Sequence, residues 1–129
     1  MFTCVIRYKL DLEKLAEFKE YGTVWMQLVE KYGGTHHGYF YPPTPTEKSA
    51  MPSSAFSFAG LGGDAAPDEG FAFFSFDSVE AYDAYREQVS TDKACTAITA
   101  KFNNSPCYIN YERSFLTPDF PHMPEAHQS

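Results

Sequence analysis

The chain has 129 residues, a length that allows one compact domain with a core large enough to fold without disulfides or metal ions. It has 10 basic and 17 acidic residues, and the resulting net charge of −7 disfavours binding to nucleic acid or to an anionic membrane surface. Aromatic residues make up 17% of the chain, so rings form much of the predicted core.

The cysteines and the apolar segments indicate where the protein is located. Cys4, Cys95 and Cys107 are odd in number and lack the spacing of a redox or metal motif, so we interpret them as reduced thiols. No stretch resembles a signal peptide or approaches the roughly 20 apolar residues that span a bilayer. We therefore expect a cytoplasmic protein that associates with neither a membrane nor nucleic acid.

The first half of the chain begins with a strand and a long helix. Residues 2–9 alternate as a strand does, and the apolar spacing then changes to steps of three and four from Leu12 to Tyr32, before two glycines. A second strand is predicted over residues 35–41. The long irregular insertion that follows, residues 42–70, contains a hydrophobic patch at residues 55–59.

The second half contains a strand, two helices and a last strand. The strand at residues 71–76 precedes a helix that is capped by Asp77 or Ser78 and has the apolar stripe Val79, Tyr82, Tyr85 and Val89. A shorter helix capped near Asp92 leads to a strand over residues 107–116. We predict one domain over residues 1–118 and a tail with proline and histidine over residues 119–129.

This order of elements predicts an α+β fold of the ferredoxin-like, split βαβ type, with a four-stranded antiparallel sheet and helices on one face. Both faces of the sheet are apolar, because the third strand alternates Phe71 and Phe73 with Phe74 and Phe76. An exposed Phe forfeits about 1.5–3 kcal/mol that burial supplies. We therefore expect a homodimer, or a higher homo-oligomer, in which two sheets face each other as a dimeric α+β barrel and enclose a lumen for a small molecule.

Two neighbouring histidines are the main candidates for chemistry. On a regular strand His36 and His37 point to opposite faces, so only one of them faces the lumen. We interpret His37 as the lumenal residue, beside Tyr39 and Tyr41, and as the candidate for catalytic proton transfer. Three alternatives stay open: His36 is lumenal, both histidines make structural hydrogen bonds, or the lumenal histidine ligates haem.

Aromatic and basic side chains complete the predicted pocket. The tyrosine rings suit a planar ligand, although such rings also form ordinary cores, and Tyr108 belongs to the same aromatic set. Arginine can anchor an anionic ligand or pair with a carboxylate across the dimer. The predicted pocket residues are Arg7, Tyr8, Trp25, His36, Tyr39, Tyr41, Tyr111 and Arg113. We predict no metal site, because the cysteines lack C-x-x-C spacing and His122 and His127 lie in the tail. We predict no cofactor either, and the glycines at residues 60–63 lack the lysine and the helix of a phosphate loop.

Three blocks of sequence carry a family resemblance. They are GGTHHGYF at residues 33–40, FFSFDS at residues 73–78 leading into AYDAYR at residues 81–86, and YERSFL at residues 111–116. With these blocks, nearly all of the chain up to Pro118 resembles bacterial NIPSNAP-domain proteins of the dimeric α+β barrel superfamily. The resemblance implies a homodimeric ferredoxin-like fold, and the insertion at residues 42–70 is longer than that family's.

The resemblance does not select a reaction, since the superfamily includes cofactor-free and haem-using monooxygenases, lactone isomerases and haem-degrading enzymes. Our leading interpretation is a protein that binds a small hydrophobic or aromatic molecule in the barrel lumen. Cofactor-free oxidative or isomerase chemistry there stays open. The alternative is a non-catalytic interaction or assembly module that uses residues 42–70.

Overall fold

The computed structural model describes residues 1–52 and 65–122. A four-stranded sheet has the order β2-β3-β1-β4, and every neighbouring pair of strands is antiparallel. The predicted ferredoxin-like α+β fold is therefore confirmed. The elements are β1 (Phe2–Leu10), α1 (Leu15–Lys31), β2 (Thr35–Phe40), α2 (Pro45–Ala50), β3 (Glu69–Phe76), α3 (Val79–Val89), α4 (Lys93–Asn104) and β4 (Tyr108–Leu116).

Side-chain caps fix where the helices begin. Asp11 caps a short 3-10 turn at Leu12–Lys14, which is why α1 starts three residues later than the apolar spacing predicts. The Ser78 hydroxyl accepts the Ala81 N–H at the start of α3, and the Asp92 carboxylate accepts the Ala94 N–H at the start of α4.

Two details of the helices differ from the predictions. Val79 is 60% exposed because it is the first residue of α3, so its predicted place in the buried stripe is wrong. The short helix α2 lies in a segment predicted to be irregular, and a capping box from Thr44 and Glu47 explains its start. The hydrophobic patch at residues 55–59 and the tail beyond residue 122 lie outside the described residues.

The core lies between one face of the sheet and the helices. Its most buried large side chains are Phe18 of α1 and Phe76 of β3, which are at most 1% exposed. The inward-facing residues of β1, Cys4, Ile6 and Tyr8, join the same cluster. Burial of each large apolar side chain contributes about 1.5–3 kcal/mol, so this aromatic cluster holds the helices on the sheet.

The other face of the sheet carries no helix among the described residues. Phe73 contacts Phe71 and Phe40, with ring centroids 6.2 and 5.5 Å apart. Ion pairs between Arg7 and Glu112 and between Lys9 and Asp68 lie on the same face. We call this surface the open face; its burial in a homodimer stays a prediction.

Among the described residues, no helix combines the length and the hydrophobicity that crossing a membrane requires.

Candidate functional site

A cavity of about 260 Å³ lies between the sheet and helices α1 and α3, on the face opposite the open face. We call it the aromatic cavity, because seven tyrosines and the single tryptophan line it. Its lining residues are Ile6, Tyr8, Tyr21, Trp25, Val29, His36, Tyr39, Phe74, Tyr82, Tyr85, Arg86, Val89, Tyr108, Tyr111 and Arg113.

A β-bulge in β2 brings His36 and Tyr39 to the same face of the sheet. His36 pairs with Phe74 and Gly38 with Phe73, so that His37 is the extra residue. Gly38 takes a φ of +111°, a conformation that glycine adopts without the steric cost other residues incur. The His36 and Tyr39 rings stack in the aromatic cavity, with centroids 5.2 Å apart and planes within 8°.

A second irregularity, in β4, brings Tyr108 and Tyr111 to the same face of the sheet. Leu10 pairs with Tyr108 and Lys9 with Asn110, which leaves Ile109 as the extra residue. Both tyrosines therefore face the helices rather than opposite sides of the sheet. Their rings are 6.0 Å apart, and the Tyr108 hydroxyl lies 3.4 Å from that of Tyr21.

The backbone determines which ring nitrogen of His36 carries the proton. The Gly38 N–H donates a hydrogen bond of 2.9 Å to His36 Nδ1. In the neutral ring the proton is then on Nε2, which becomes a donor. Burial, together with the nearby His37, lowers the pKa of His36 to about 4. At neutral pH His36 is therefore an uncharged hydrogen-bond donor and not a general base.

Two buried N–H groups of the lining residues lack a partner. Trp25 Nε1 and His36 Nε2 make no hydrogen bond with any of the residues described. Leaving a buried donor unsatisfied costs about 1–3 kcal/mol. An acceptor atom on a bound molecule is the kind of group that would complete both residues.

The tyrosine hydroxyls stay protonated in this environment. Burial raises the pKa of Tyr8, Tyr21, Tyr39 and Tyr85 well above the ordinary value of a phenol. Neighbouring tyrosines raise it further for Tyr8, Tyr21 and Tyr85, whereas a hydrogen bond with Tyr8 lowers the pKa of Tyr39. These groups can donate hydrogen bonds at neutral pH but cannot act as bases.

Two arginines lie at the mouth of the aromatic cavity. Arg86 of α3 and Arg113 of β4 are exposed, as is Tyr111 beside them, whereas Tyr8 and Tyr85 deeper in the cavity are buried. The Arg113 guanidinium lies 5.4 Å from the ring centre of Tyr111, and that of Arg86 lies 5.9 Å from the ring centre of Tyr82. These cation–π contacts orient the two charges at the entrance.

The structure brings together part of the predicted pocket and separates the rest. Arg7 lies on the open face, paired with Glu112, and Tyr41 packs outside the cavity against Phe18 and Lys19. Of the predicted pocket residues, those that do line the aromatic cavity are Tyr8, Trp25, His36, Tyr39, Tyr111 and Arg113.

The prediction that His37 shares a face with Tyr39 and Tyr41 is wrong, because the bulge at His37 shifts the alternation by one residue. His37 is exposed on the open face, where its Nε2 forms a hydrogen bond of 2.7 Å with the Ser75 hydroxyl. That hydroxyl is also 2.7 Å from Thr3 Oγ1. His37 is thus on the opposite side of the sheet from the aromatic cavity.

Sequence reasoning missed several lining residues. Tyr82 and Tyr85 were expected in the apolar stripe of α3, and the arginine that follows them, Arg86, lies one turn beyond Tyr82 on the same helix. The sequence feature that could have indicated Tyr21 as a lining residue is its place next to the apolar positions of α1. A cavity between helix and sheet depends on how far apart the rings hold these layers, and spacing in the sequence does not give that distance.

Haem does not fit the aromatic cavity. Its volume of about 260 Å³ lies below the range of about 300–1,000 Å³ for drug-sized ligands, and a porphyrin is large within that class. Within residues 1–52 and 65–122, no group of three or more His, Cys, Asp or Glu side chains is arranged to hold a metal ion.

Comparison with known proteins identifies the fold. No family model matches the chain, and no curated protein does either. Among solved structures, a NIPSNAP-domain protein from Burkholderia xenovorans superposes with a TM-score of 0.62 at 15% identity, over 96% of this chain and 100% of that one. A NIPSNAP family protein of unknown function from Agrobacterium tumefaciens superposes with a TM-score of 0.62 at 14% identity, over 92% of this chain and 87% of that one.

A third solved structure is a putative antibiotic biosynthesis monooxygenase from Nitrosomonas europaea. It gives a TM-score of 0.57 at 10% identity, over 93% of this chain and 100% of that one. The chain is therefore a ferredoxin-like α+β protein. Within that class its fold is that of the NIPSNAP proteins, as the three sequence blocks implied.

Proposed function

We propose that this NIPSNAP-like protein binds a small planar aromatic molecule with a hydrogen-bond acceptor, and that it does so in the aromatic cavity. The observation that carries the proposal is a cavity made mainly of rings, in which the lining residues Trp25 and His36 each have a buried N–H group with no partner among the described residues. An acceptor oxygen would relieve the cost of those groups. Flat rings among the tyrosines would add stacking and edge contacts.

The size and the charges of the aromatic cavity support the same ligand class. A volume of about 260 Å³ suits a molecule of one or two rings rather than a long chain or a nucleotide. The described lining residues include no carboxylate, so the polar groups that face a ligand are donors or cations. This proposal replaces the lumen between two sheets as the binding site.

The single tryptophan provides a direct test. In ¹⁵N-labelled protein the indole N–H of Trp25 gives one NMR signal, and we expect acetophenone to shift it in a saturable way. Ethylbenzene, which has the same ring but no oxygen, should shift it much less. Replacing His36 by Leu should weaken acetophenone binding about three- to tenfold, the value of one neutral hydrogen bond.

The matched control is His37→Gln, which changes the neighbouring histidine on the open face and should leave acetophenone binding unchanged. Equal responses to acetophenone and ethylbenzene would remove the proposed role of the acceptor. Absence of any saturable shift with either compound would overturn the binding site itself.

We propose stabilisation of a ligand oxyanion as the chemistry that this site would support. Neutral N–H donors stabilise the enolate that forms when a ketone loses an α-proton, and this proton would pass to a buffer base or hydroxide from solvent, since the described lining residues supply no base. The enolate is the first intermediate of both isomerisation and cofactor-free oxygenation. The fold shared with a putative monooxygenase supports the second of these. The test is the exchange of the acetophenone methyl protons in D₂O. Exchange that the protein accelerates, and that His36→Leu abolishes, would establish enolisation. Exchange at the rate of buffer alone would show that the protein binds the ketone without enolising it.

We further propose that the chain forms a homodimer through its open face. The support is the apolar surface around Phe40, Phe71 and Phe73, which no helix of the described residues covers. The alternative of an assembly module that uses residues 42–70 depends largely on the patch at residues 55–59, outside the described residues.

A further inference from the structure

The charge of the aromatic cavity is opposite to that of the whole chain. The protein has a net charge of −7, yet the lining residues described include two arginines and no Asp or Glu. Arg86 comes from helix α3 and Arg113 from strand β4, so two separate elements place positive charge at one mouth. This local positive potential in an acidic protein would attract an anion to the mouth.

Neither guanidinium is neutralised within the part of the chain that the structure describes. The ion pairs there join Arg7 to Glu112, Lys9 to Asp68, Lys31 to Asp92 and Lys101 to Glu20, and none involves Arg86 or Arg113. The titratable side chains that interact with Arg113 are the Cys4 thiol and tyrosine hydroxyls whose pKa values are raised by burial. Burial raises the pKa of that thiol to about 11, so it carries no negative charge at neutral pH.

The two guanidiniums are also held in defined places. Each lies against the ring of a lining tyrosine, Arg113 against Tyr111 and Arg86 against Tyr82. A planar guanidinium offers paired donors that match the two oxygens of a carboxylate. The fit to a carboxylate is better than to a phosphate ester of nucleotide size, for which a cavity of about 260 Å³ is too small.

Resting on the proposed aromatic-binding function, we propose that the ligand is an aromatic carboxylic acid in its anionic form. Its carboxylate binds Arg86 and Arg113 at the mouth, its ring lies among the tyrosines beneath them, and a second acceptor on the ring serves the N–H groups of Trp25 and His36. The geometry that supports this is the position of two guanidiniums, neither of them ion-paired with a described residue, at the open end of a cavity whose walls are aromatic.

Benzoate and benzamide form a matched pair of probes, since they have nearly the same shape and differ in charge. Titration of the wild-type protein, followed by the Trp25 indole N–H signal, should show benzoate binding at least about tenfold more tightly than benzamide. In Arg113→Gln and in Arg86→Gln we expect most of that preference to disappear, while affinity for benzamide stays within about twofold. Raising the salt concentration should weaken benzoate binding only.

Arg7→Gln is the control, because Arg7 is an arginine of the same sheet that faces the opposite side. It should keep the full preference for benzoate. If benzoate and benzamide bind the wild-type protein with equal affinity while acetophenone also binds, the proposed preference for a carboxylate is wrong and the proposed binding of aromatic molecules stands. Failure of benzoate, benzamide and acetophenone alike would overturn both proposals. The wild-type comparison needs no variant, so a misfolded Arg113→Gln protein does not obscure the result.

Discussion

A single hydrogen bond decides what His36 can do. The Gly38 N–H occupies Nδ1, so the ring has one remaining polar atom, the Nε2–H, and it lacks a partner among the described residues. Protonation at Nδ1 would break the bond from Gly38 and add a charge to a buried ring. The residue is therefore suited to donate to a ligand oxygen, as neutral histidines in some enzymes do, and not to remove a proton.

The lowered pKa of His36 predicts how stability depends on pH. Between about pH 4 and 6.5 the unfolded chain holds a proton on this histidine and the folded chain does not. The free energy of unfolding should therefore fall as pH falls through this window, by up to about 1.4 kcal/mol per pH unit from this one group. Asp92, whose pKa is held low by hydrogen bonds from Lys31 and Tyr32, contributes a similar loss only below its ordinary value of 3.8.

Urea unfolding between pH 4.5 and 7 measures this effect. His36→Gln should lose the slope contributed by His36, and His37→Gln should keep it, since that residue is exposed on the open face. Identical pH profiles for the wild-type protein and His36→Gln would show that His36 is not the buried neutral group inferred here.

At the scale of elements, the two edge strands carry the irregularities that build the site. The alternation of β1 and β3 predicted which of their residues share a face, because the pairing of these two strands is regular over its whole length. The same rule failed for β2 and β4, where one extra residue in each strand reverses the alternation beyond it. Gly38 inside the strand is typical of a bulge, but it does not show which neighbouring residue is the extra one, so the sequence GGTHHGYF alone does not show which histidine faces the helices.

The bulge in β2 predicts different effects for two glycine substitutions. Gly38→Ala and Gly33→Ala both place a methyl group on a residue with positive φ, +111° and +96°, and each should cost about 1–2 kcal/mol of stability. Of the two glycines, Gly38 is the one whose N–H donates a hydrogen bond to His36. Gly38→Ala should therefore also weaken acetophenone binding, and Gly33→Ala should not. The Trp25 indole signal measures this under conditions where both variants are folded. Equal losses of binding in the two variants would mean that the bulge does not position the ligand site.

At the scale of the whole molecule, helices cover one face of the sheet and no described helix covers the other. The sequence predicted the fold because length, element order and periodicity all agreed. The aromatic cavity was not predicted, since a cavity within one chain depends on how large rings such as Tyr39 and Tyr85 pack between layers. The lumen between two sheets and the second copy of the chain on the open face stay predictions.

The proposed dimer predicts a change in assembly for one exposed residue of the open face. Phe40 is 53% exposed in the single chain, so Phe40→Glu should not disturb the fold of one subunit. In a dimer it would bury two unpaired charges, and the dissociation constant should rise at least about 100-fold. Sedimentation equilibrium at micromolar concentration measures this, with Leu12→Glu as the control, since Leu12 is 50% exposed in the turn before α1 and not on the sheet.

Assembly and ligand binding should separate in the Phe40→Glu protein. The described residues that line the aromatic cavity lie on the helix side of the sheet, away from Phe40. A monomeric Phe40→Glu protein should therefore bind acetophenone as tightly as the wild-type protein does. Loss of binding together with the dimer would instead place the ligand between two subunits, and a wild-type protein that sediments as a monomer would remove the proposed dimer while leaving the aromatic cavity as the binding site.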